Sequence, residues 1–525
     1  MAAGTLTIRI ARDAALADMR ADSPMKDKVH PNEQAPLHVP TSEFSWGRPT
    51  RPRAEYNPDM KTVLRTAVLC SSLAIVILWT SLVARAQQSA SRGAVLRPEP
   101  PRVRELDWDT YLDKVQGAWL GKMIGVTFGQ PWEFNYQGTP IGFDINDWTL
   151  SPTRMKDYRT RAENERDYQN PITKEADSKE VHINKGFVEA SEKEHPSFGV
   201  PDNDDIYINI LFLYCLRRYG VDVDPVSVAH EWDQKIRRVW HANDAGLANI
   251  RKGILPPDSG NPRNNLHADD IDFQIESDIF GMIAPGMPKV SNRYGQRMGH
   301  IMNYGDGVYG GMFVSAMYTQ AFFAKSIREV VENGLKAIPA QSLYAQTIHD
   351  VIQWHDEYPD DWLKTWHLVQ AKWGEVDHCP EGYKKPFNID AKLNGAYVVM
   401  GLLYGEGDWY KTMNYATRAG QDADCNPATA AGILGTLIGA HAIPAQYSEP
   451  VHNTYWNKTL AGLPDSYEVD VLAADTAQIG LKLLLANGGE VISRSGKIAL
   501  QIPWQDPVAP PNLEQVKWDG DKPVF

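Results

Sequence analysis

Cysteine is scarce, with four residues in a chain of 525, so no disulfide framework holds this protein together. Positive charge is short as well: 53 Lys+Arg face 66 Asp+Glu, a formal net charge of -13. A surface without excess cations is poorly suited to nucleic acid, whose phosphates demand them. Long apolar runs are confined to Thr66–Ala84, which excludes a multi-spanning membrane protein. Alternating strand patterns are few and internal repeats are absent. What is present is ordinary for a globular chain: 43% hydrophobic and 23% charged residues, which excludes global disorder and a collagen-like chain. The length allows three domains of roughly 150 residues or one large core. The acidic balance suits a soluble enzyme and is compatible with cation binding. Sixteen tryptophans serve either as sugar-stacking faces or as core and rim packing.

The N-terminal part reads as an address. Residues 1–59 are polar and punctuated by proline, and are expected to be disordered or an over-extended start. Met60-Lys61-Thr62-Val63-Leu64-Arg65 is a basic n-region, Thr66–Ala84 is uncharged, and Ala84-Arg85-Ala86 supplies an A-x-A site, which together predict a secretory signal peptide over residues 60–86. The alternative is a single transmembrane anchor, since the apolar run is just long enough to span a bilayer. Arg48, Arg51, Arg53, Lys61 and Arg65 would keep its N-terminus in the cytoplasm. Either way the remainder is expected outside the inner membrane, secreted or periplasmic, touching a membrane only if the segment stays uncleaved. Residues 1–86 hold 11 of the basic and 8 of the acidic side chains, so the remainder carries -16. It keeps Cys215, Cys379 and Cys425, an odd number that cannot all pair.

Residues 87–105 read as a Pro/Arg-rich linker, 106–465 as a catalytic domain, and 466–525 as a C-terminal helix and strand extension. Apolar residues recur at helical spacing over Tyr111–Phe128, Ile206–Tyr219, Pro225–Ala242, Gly310–Ala324, Leu343–His355, Asn394–Gly405, Pro427–Ile443 and Val469–Ala486. Glu490–Ile502 is the best strand candidate. The expectation is a single large all-α domain with a short β element near its C-terminus. Asn146–Gly199, polar and aperiodic, reads as an inserted loop.

Three segments carry chemistry. Gly117, Gly121, Gly125 and Gly129 fall four residues apart, along one stripe of a helix. Each costs about 1 kcal/mol relative to Ala, so four in a row predict close backbone approach by a neighbouring helix. That helix leads to Glu133, which Pro131 is expected to turn outward. Pro201-Asp202-Asn203-Asp204-Asp205 precedes an apolar run from Ile206. Asp202 or Asn203 can cap that helix, but clustered acids repel, and hard oxygens are what Mg²⁺ or Ca²⁺ selects. Gly420-Gln421-Asp422-Ala423-Asp424-Cys425-Asn426-Pro427 opens an Ala/Gly-rich helix, with Asn426 read as its cap and Pro427 as its first residue. Two carboxylates at the mouth of a buried helix are costly unless paired or metal-bound.

These segments, in this order over residues 108–445, resemble the ADP-ribosylglycohydrolase superfamily, including dinitrogenase reductase-activating glycohydrolases: a G-x-x-x-G-x-x-x-G helix leading to a Glu, then Thr-Asp-Asp, then Asp-x-Asp-Thr/Ser before an Ala/Gly-rich helix. The resemblance implies a large orthogonal all-α fold with two Mg²⁺ ions, Mn²⁺ being the alternative. It implies metal ligands at Asn203, Asp204, Asp205, Asp422, Asp424 and Cys425, with Asn203 at the family's Thr and Cys425 at its Thr/Ser. Glu133 and Asp204 take catalytic roles by the same resemblance. Gly305-Asp306-Gly307-Val308-Tyr309-Gly310 looks like the family's Gly-rich loop that contacts ribose and phosphate, giving Gly305, Asp306, Gly307, Tyr309 and Gly310 as substrate-binding residues. Cys425 is a soft donor for Mg²⁺, and Val126-Thr127 stand where Asp-Ala is common. His267–Asp278, with five acids, is similar to a segment of the superfamily's secreted branch and places Asp270 at the substrate cleft; the plainer alternative is a capped, solvated helix start. Trp354-His355-Asp356-Glu357 reads as structural.

The implied activity is hydrolysis at an anomeric carbon through an oxocarbenium-like state, on an N- or O-glycosidic bond to ADP-ribose or a ribose-like sugar. The substrate is then a small molecule, a glycan or an ADP-ribosylated partner. The location raises two alternatives, a secreted furanosidase or glycosidase acting on an extracellular glycan, and a non-catalytic metal-stabilised binding protein. Oligomeric state is not legible.

Overall fold

The computed structural model describes residues 102–133, 136–145, 198–374, 376, 380, 387–520 and 522–524. The expected signal segment 60–86, nearly all of the expected loop Asn146–Gly199 and Cys379 lie outside them. In chain order the helices are α1 (Trp108–Gly129), α2 (Asp204–Tyr219), α3 (Pro225–Lys235), α4 (His241–Arg251), α5 (Asp272–Glu276), α6 (Asp278–Met282), α7 (Pro288–Met298), α8 (Asp306–Ala321), α9 (Ile327–Leu335), α10 (Leu343–Glu357), α11 (Trp362–Trp373), α12 (Ala391–Gly405), α13 (Trp409–Arg418), α14 (Cys425–Ile438), α15 (Ala445–Ser448) and α16 (Val469–Ala486). The fold is mostly helical with small strands, as expected.

The centre of the molecule is the crossing of α1 and α14. A Cβ built on Gly117, Gly121, Gly125 or Gly129 would lie 2.2, 2.3, 2.2 or 2.0 Å from the carbonyl oxygens of Gly435, Ala431, Pro427 and Ala423. No real Cβ approaches an oxygen so closely, so the glycine stripe is the condition for the two backbones touching. Gly435 returns the contact against Gly117, while Gly432 faces the Tyr318 hydroxyl. Lys114 donates to the carbonyls of Ala321, Thr436 and Leu437, putting a cation at the C-terminal ends of α8 and α14, where the helix dipoles favour it. On its other side α1 meets α16, with Trp119 Nε1 donating to Thr476 Oγ1 at 3.0 Å. Trp119, Trp132 and Trp232 are fully buried, so these three act as core, not as sugar platforms.

Three expectations are corrected. Pro225–Ala242 is not one helix: it breaks after Lys235, because Ile236 bridges to Leu460 and the Ala461 N–H takes the Lys235 carbonyl at 2.7 Å. The strand expected over Glu490–Ile502 is a hairpin, β2 (Glu490–Arg494) and β3 (Lys497–Pro503), turning at Ser495-Gly496, both with positive φ. Its β3 pairs antiparallel with β1 (Val103–Asp107), from Val103↔Pro503 to Asp107↔Ala499, so residues at the end of the expected linker are strand. Third, α14 is capped by Asp424, whose side chain accepts from the Cys425 N–H, and Pro427 is the third helical residue. Proline is tolerated there because first-turn N–H groups have no intrahelical partner.

Candidate functional site

Three distant segments meet where α1 ends. The Gly129 contact sets the Asp422–Cys425 turn against the last turn of α1, a Cβ there lying 2.5 Å from the Asp424 Cα. The N-terminus of α2 comes in from the side: Asn203 Nδ2 donates to Asp424 Oδ2 at 3.2 Å. Asn203 is the cap of α2, its Oδ1 accepting from the Asp205 N–H at 3.0 Å. Asp202 instead turns outward, accepting from Thr459, the Lys458 N–H and Tyr455. One donor atom from each of Asp204, Asp205 and Cys425 lies within 4.8 Å of the others, and so does one from each of Asp422, Asp424 and Cys425. Cys425 is thus the shared member of two groups. Asp205, Asp422, Asp424 and Cys425 are buried, and Asp204 is half-buried.

The electrostatics follow from this crowding. Burial pushes the Asp204 and Asp422 carboxyls well above the usual range, and the neighbouring Asp205 and Asp424 push them further. Asp424 is raised by burial, with hydrogen bonds from Asp422, Cys425 and Asn203 opposing. Glu133 is raised well by burial and by Asp424, Asp422, Asp204 and Asp205 in that order. It therefore lies within electrostatic reach of the acid cluster and is half-buried, not in the exposed turn expected from Pro131. Burial and the same acids raise the Cys425 thiol well, so it enters the site as a neutral, soft donor.

The cluster has a counter-charge that sequence reasoning missed. Lys122, fully buried on α1, reaches Asp205 Oδ1 at 2.7 Å, Asp278 Oδ2 at 3.0 Å and the Ile275 carbonyl at 2.8 Å. Burial alone would depress its ammonium, but Asp205 and Asp278 outweigh that and hold it above its ordinary value. Burial raises Asp205 and Lys122 pulls it back, leaving it at about 6. A lysine beside Gly121 is the only hint in the sequence, and nothing local tells which acid it meets. Asp272 and Glu276 form a buried outer layer: Asp272 stands at about 6, raised by burial and eased by His241, and Glu276 is raised well by burial and Asp272.

The acid-rich segment His267–Asp278, which runs through α5 to the start of α6, is not a solvated helix start. Asp270, Asp272, Glu276 and Asp278 are all buried. The Gly-rich loop leads into α8 with Gly305 at φ 55° as its cap. Gly307 packs under the Ala268 carbonyl and Gly310 against Gln274 and Tyr344. Tyr309 accepts from the Glu514 N–H. Burial raises Asp306 to about 6, and Asp269 is raised well by burial and then by Asp306. Asp356 makes a two-point pair with Arg328, so that segment is structural, as read.

The donor set fits hard divalent cations. Carboxylate oxygens dominate it, all with raised carboxyls that a cation would relieve, and Asp205 Oδ2 is buried without a hydrogen-bond partner among the described residues. No curated protein matches the sequence. A solved structure titled "ADP-ribosylglycohydrolase-related protein complex" is similar at a TM-score of 0.42 and 13% identity, over 70% of this chain and 99% of that one. A family model described as ADP-ribosylglycohydrolase matches residues 107–478, and the three acid-bearing segments that meet at the end of α1 all lie inside that range. The chain therefore belongs to the ADP-ribosylglycohydrolase family, a family of glycohydrolases.

Proposed function

We propose that the protein is a metal-dependent glycohydrolase that cleaves an N- or O-glycosidic bond to ADP-ribose or a ribose-like sugar. The observation that carries this reading is the meeting of Asp204 and Asp205 with Asp422 and Asp424 around Cys425, with Glu133 under the electrostatic influence of all four. Asp204, Asp205, Asp422 and Asp424 would hold two Mg²⁺ ions, with Asn203 and Cys425 beside them and Mn²⁺ favoured where the Cys425 sulfur takes part. When bound, Mg²⁺ supplies Lewis-acid activation of a water and an anchor for sugar hydroxyls. The chain's own residues do the rest. Lys122 holds the Asp205 carboxylate in place through Oδ1. Asn203 orients Asp424 through Oδ2. Glu133, with its raised carboxyl, is suited to carry a proton at the leaving group. The pattern over residues 60–86 supports action outside the inner membrane.

One observation favours an unphosphorylated furanoside over ADP-ribose. The Gly305 N–H and His300 engage the Glu514 carboxylate, with His300 Nε2 at 2.9 Å. Asp269 Oδ1 lies 3.6 Å from where a Gly305 Cβ would stand. A diphosphate brought to this loop would meet carboxylates. The test is hydrolysis of ADP-ribosyl-arginine, O-acetyl-ADP-ribose and aryl furanosides with Mg²⁺, Mn²⁺ or chelator. Metal-dependent turnover is expected, and Asp422→Asn and Asp424→Asn should each lower it by more than about 100-fold. Full activity of either variant, or activity unchanged by chelator, would sink the proposal.

A further inference from the structure

A second group of metal-type donors stands beyond Asp272. His267 Nδ1 lies 2.7 Å and His241 Nδ1 3.9 Å from the same oxygen, Asp270 Oδ2. One donor atom from each of the three residues lies within 4.8 Å of the other two. The Asp270 side chain is fully buried, whereas the His241 and His267 side chains are 23% and 21% exposed, so solvent reaches the imidazole side of the triangle.

The surroundings hold these donors in place. The Asp270 N–H donates to the His267 carbonyl at 3.0 Å, its own carbonyl accepts from Asn303 at 2.8 Å, and the next N–H pairs with Ile389 at 2.9 Å. Asn265 accepts from the His267 N–H at 3.0 Å and donates to the Ala242 carbonyl at 3.0 Å, tying the turn of one histidine to the flank of the other. Asp272 accepts from the N–H groups of Ala242 and Asn243. His241 itself is held at φ 44°, a left-handed conformation costly for a residue with a Cβ and one that persists where the surroundings enforce it.

We propose that His241, His267 and Asp270 form a separate binding site for a borderline divalent ion of the Zn²⁺ or Co²⁺ type. Two imidazoles and a carboxylate are the donor set such ions prefer, whereas Mg²⁺ and Ca²⁺ prefer oxygen alone. Ligands at roughly 2.0–2.2 Å from a tetrahedral ion stand about 3.3 Å apart. Binding therefore opens the His267–Asp270 hydrogen bond slightly, requires the His267 ring proton to sit on Nε2 while Nδ1 binds the ion, and draws His241 inward. The site differs in chemistry from the oxygen-rich cluster at the end of α1, and the proposal does not depend on turnover there.

The test uses the full chain, stripped with chelator and dialysed against Co²⁺ with a large excess of Mg²⁺ to fill the oxygen-rich cluster. One tightly held Co²⁺ with visible ligand-field absorption is expected. His241→Gly and His267→Ala should each weaken it by at least about 10-fold, while Asp422→Asn retains it. His241→Gly removes the imidazole at a left-handed position that glycine adopts without strain, so the fold is kept. Co²⁺ content and spectrum unchanged in both histidine variants, or lost only in Asp422→Asn, would overturn the proposal.

Discussion

Lys122 decides how much charge the acid cluster can carry. It is fully buried between Asp205 and Asp278, and removing one partner of a buried pair leaves the other uncompensated. Lys122→Met should therefore destabilise the fold by roughly 3–5 kcal/mol, read as a lowered denaturant midpoint, even though methionine fits the volume. The raised carboxyls make a second, pH-dependent prediction. Asp205 and Asp272 stand at about 6 against an ordinary 3.8, so the folded protein holds protons that the unfolded chain releases. Metal-free stability is thus lost as pH rises through that window, by up to about 3 kcal/mol for each group. A bound cation offsets that loss. The gain in melting temperature from Mg²⁺ over chelator should grow from pH 5 to pH 7; a gain that shrinks would contradict the assignment. At this scale the four paired aspartates were legible in the sequence because their spacing marks them, whereas Glu133 and Cys425 were singled out through the family resemblance. Lys122, Asp272 and Glu276 were not, because their partners lie on other elements.

At the scale of elements, the α1–α14 crossing does two jobs. It builds the core and sets the register of the Asp422–Cys425 turn against the α1 terminus. Gly125→Ala would place a methyl 2.2 Å from the Pro427 carbonyl oxygen, which neither rigid backbone can yield. The helices must separate, at a cost of about 3 kcal/mol or more, and the acid-bearing turn moves with them. The expected outcome is a lower melting temperature together with weaker Mg²⁺ binding; a variant that loses stability and keeps its Mg²⁺ affinity would separate the two roles. The glycine stripe announced this contact, since only close approach repays four helical glycines. The break between α3 and α4 was not announced: its cause is the pairing of Ile236 with Leu460, more than 200 residues away in sequence.

At the scale of the molecule, the C-terminal segment returns to the Gly-rich loop that opens α8. Glu514 sits on His300 and Gly305, and Trp518 Nε1 donates to Asp269 at 3.1 Å. Burial would raise the Glu514 carboxyl, but hydrogen bonding and charge from His300 hold it below its ordinary range. It is therefore an anion seated on the loop expected to receive one. Glu514→Gln should tighten ADP-ribose binding about 10-fold, the worth of roughly 1.4 kcal/mol, measured by calorimetry. Unchanged affinity would mean that the loop does not take phosphate.

The sequence by itself determined the helical class, the glycine contact and the identity of the paired acids, because each is written in local spacing. Only the tertiary structure decided that Glu133 lies within electrostatic reach of those acids, that Lys122 neutralises part of them, and that His241 meets His267 and Asp270. Burial and long-range pairing set charge states and donor geometry, and neither has a signature within a few residues of chain.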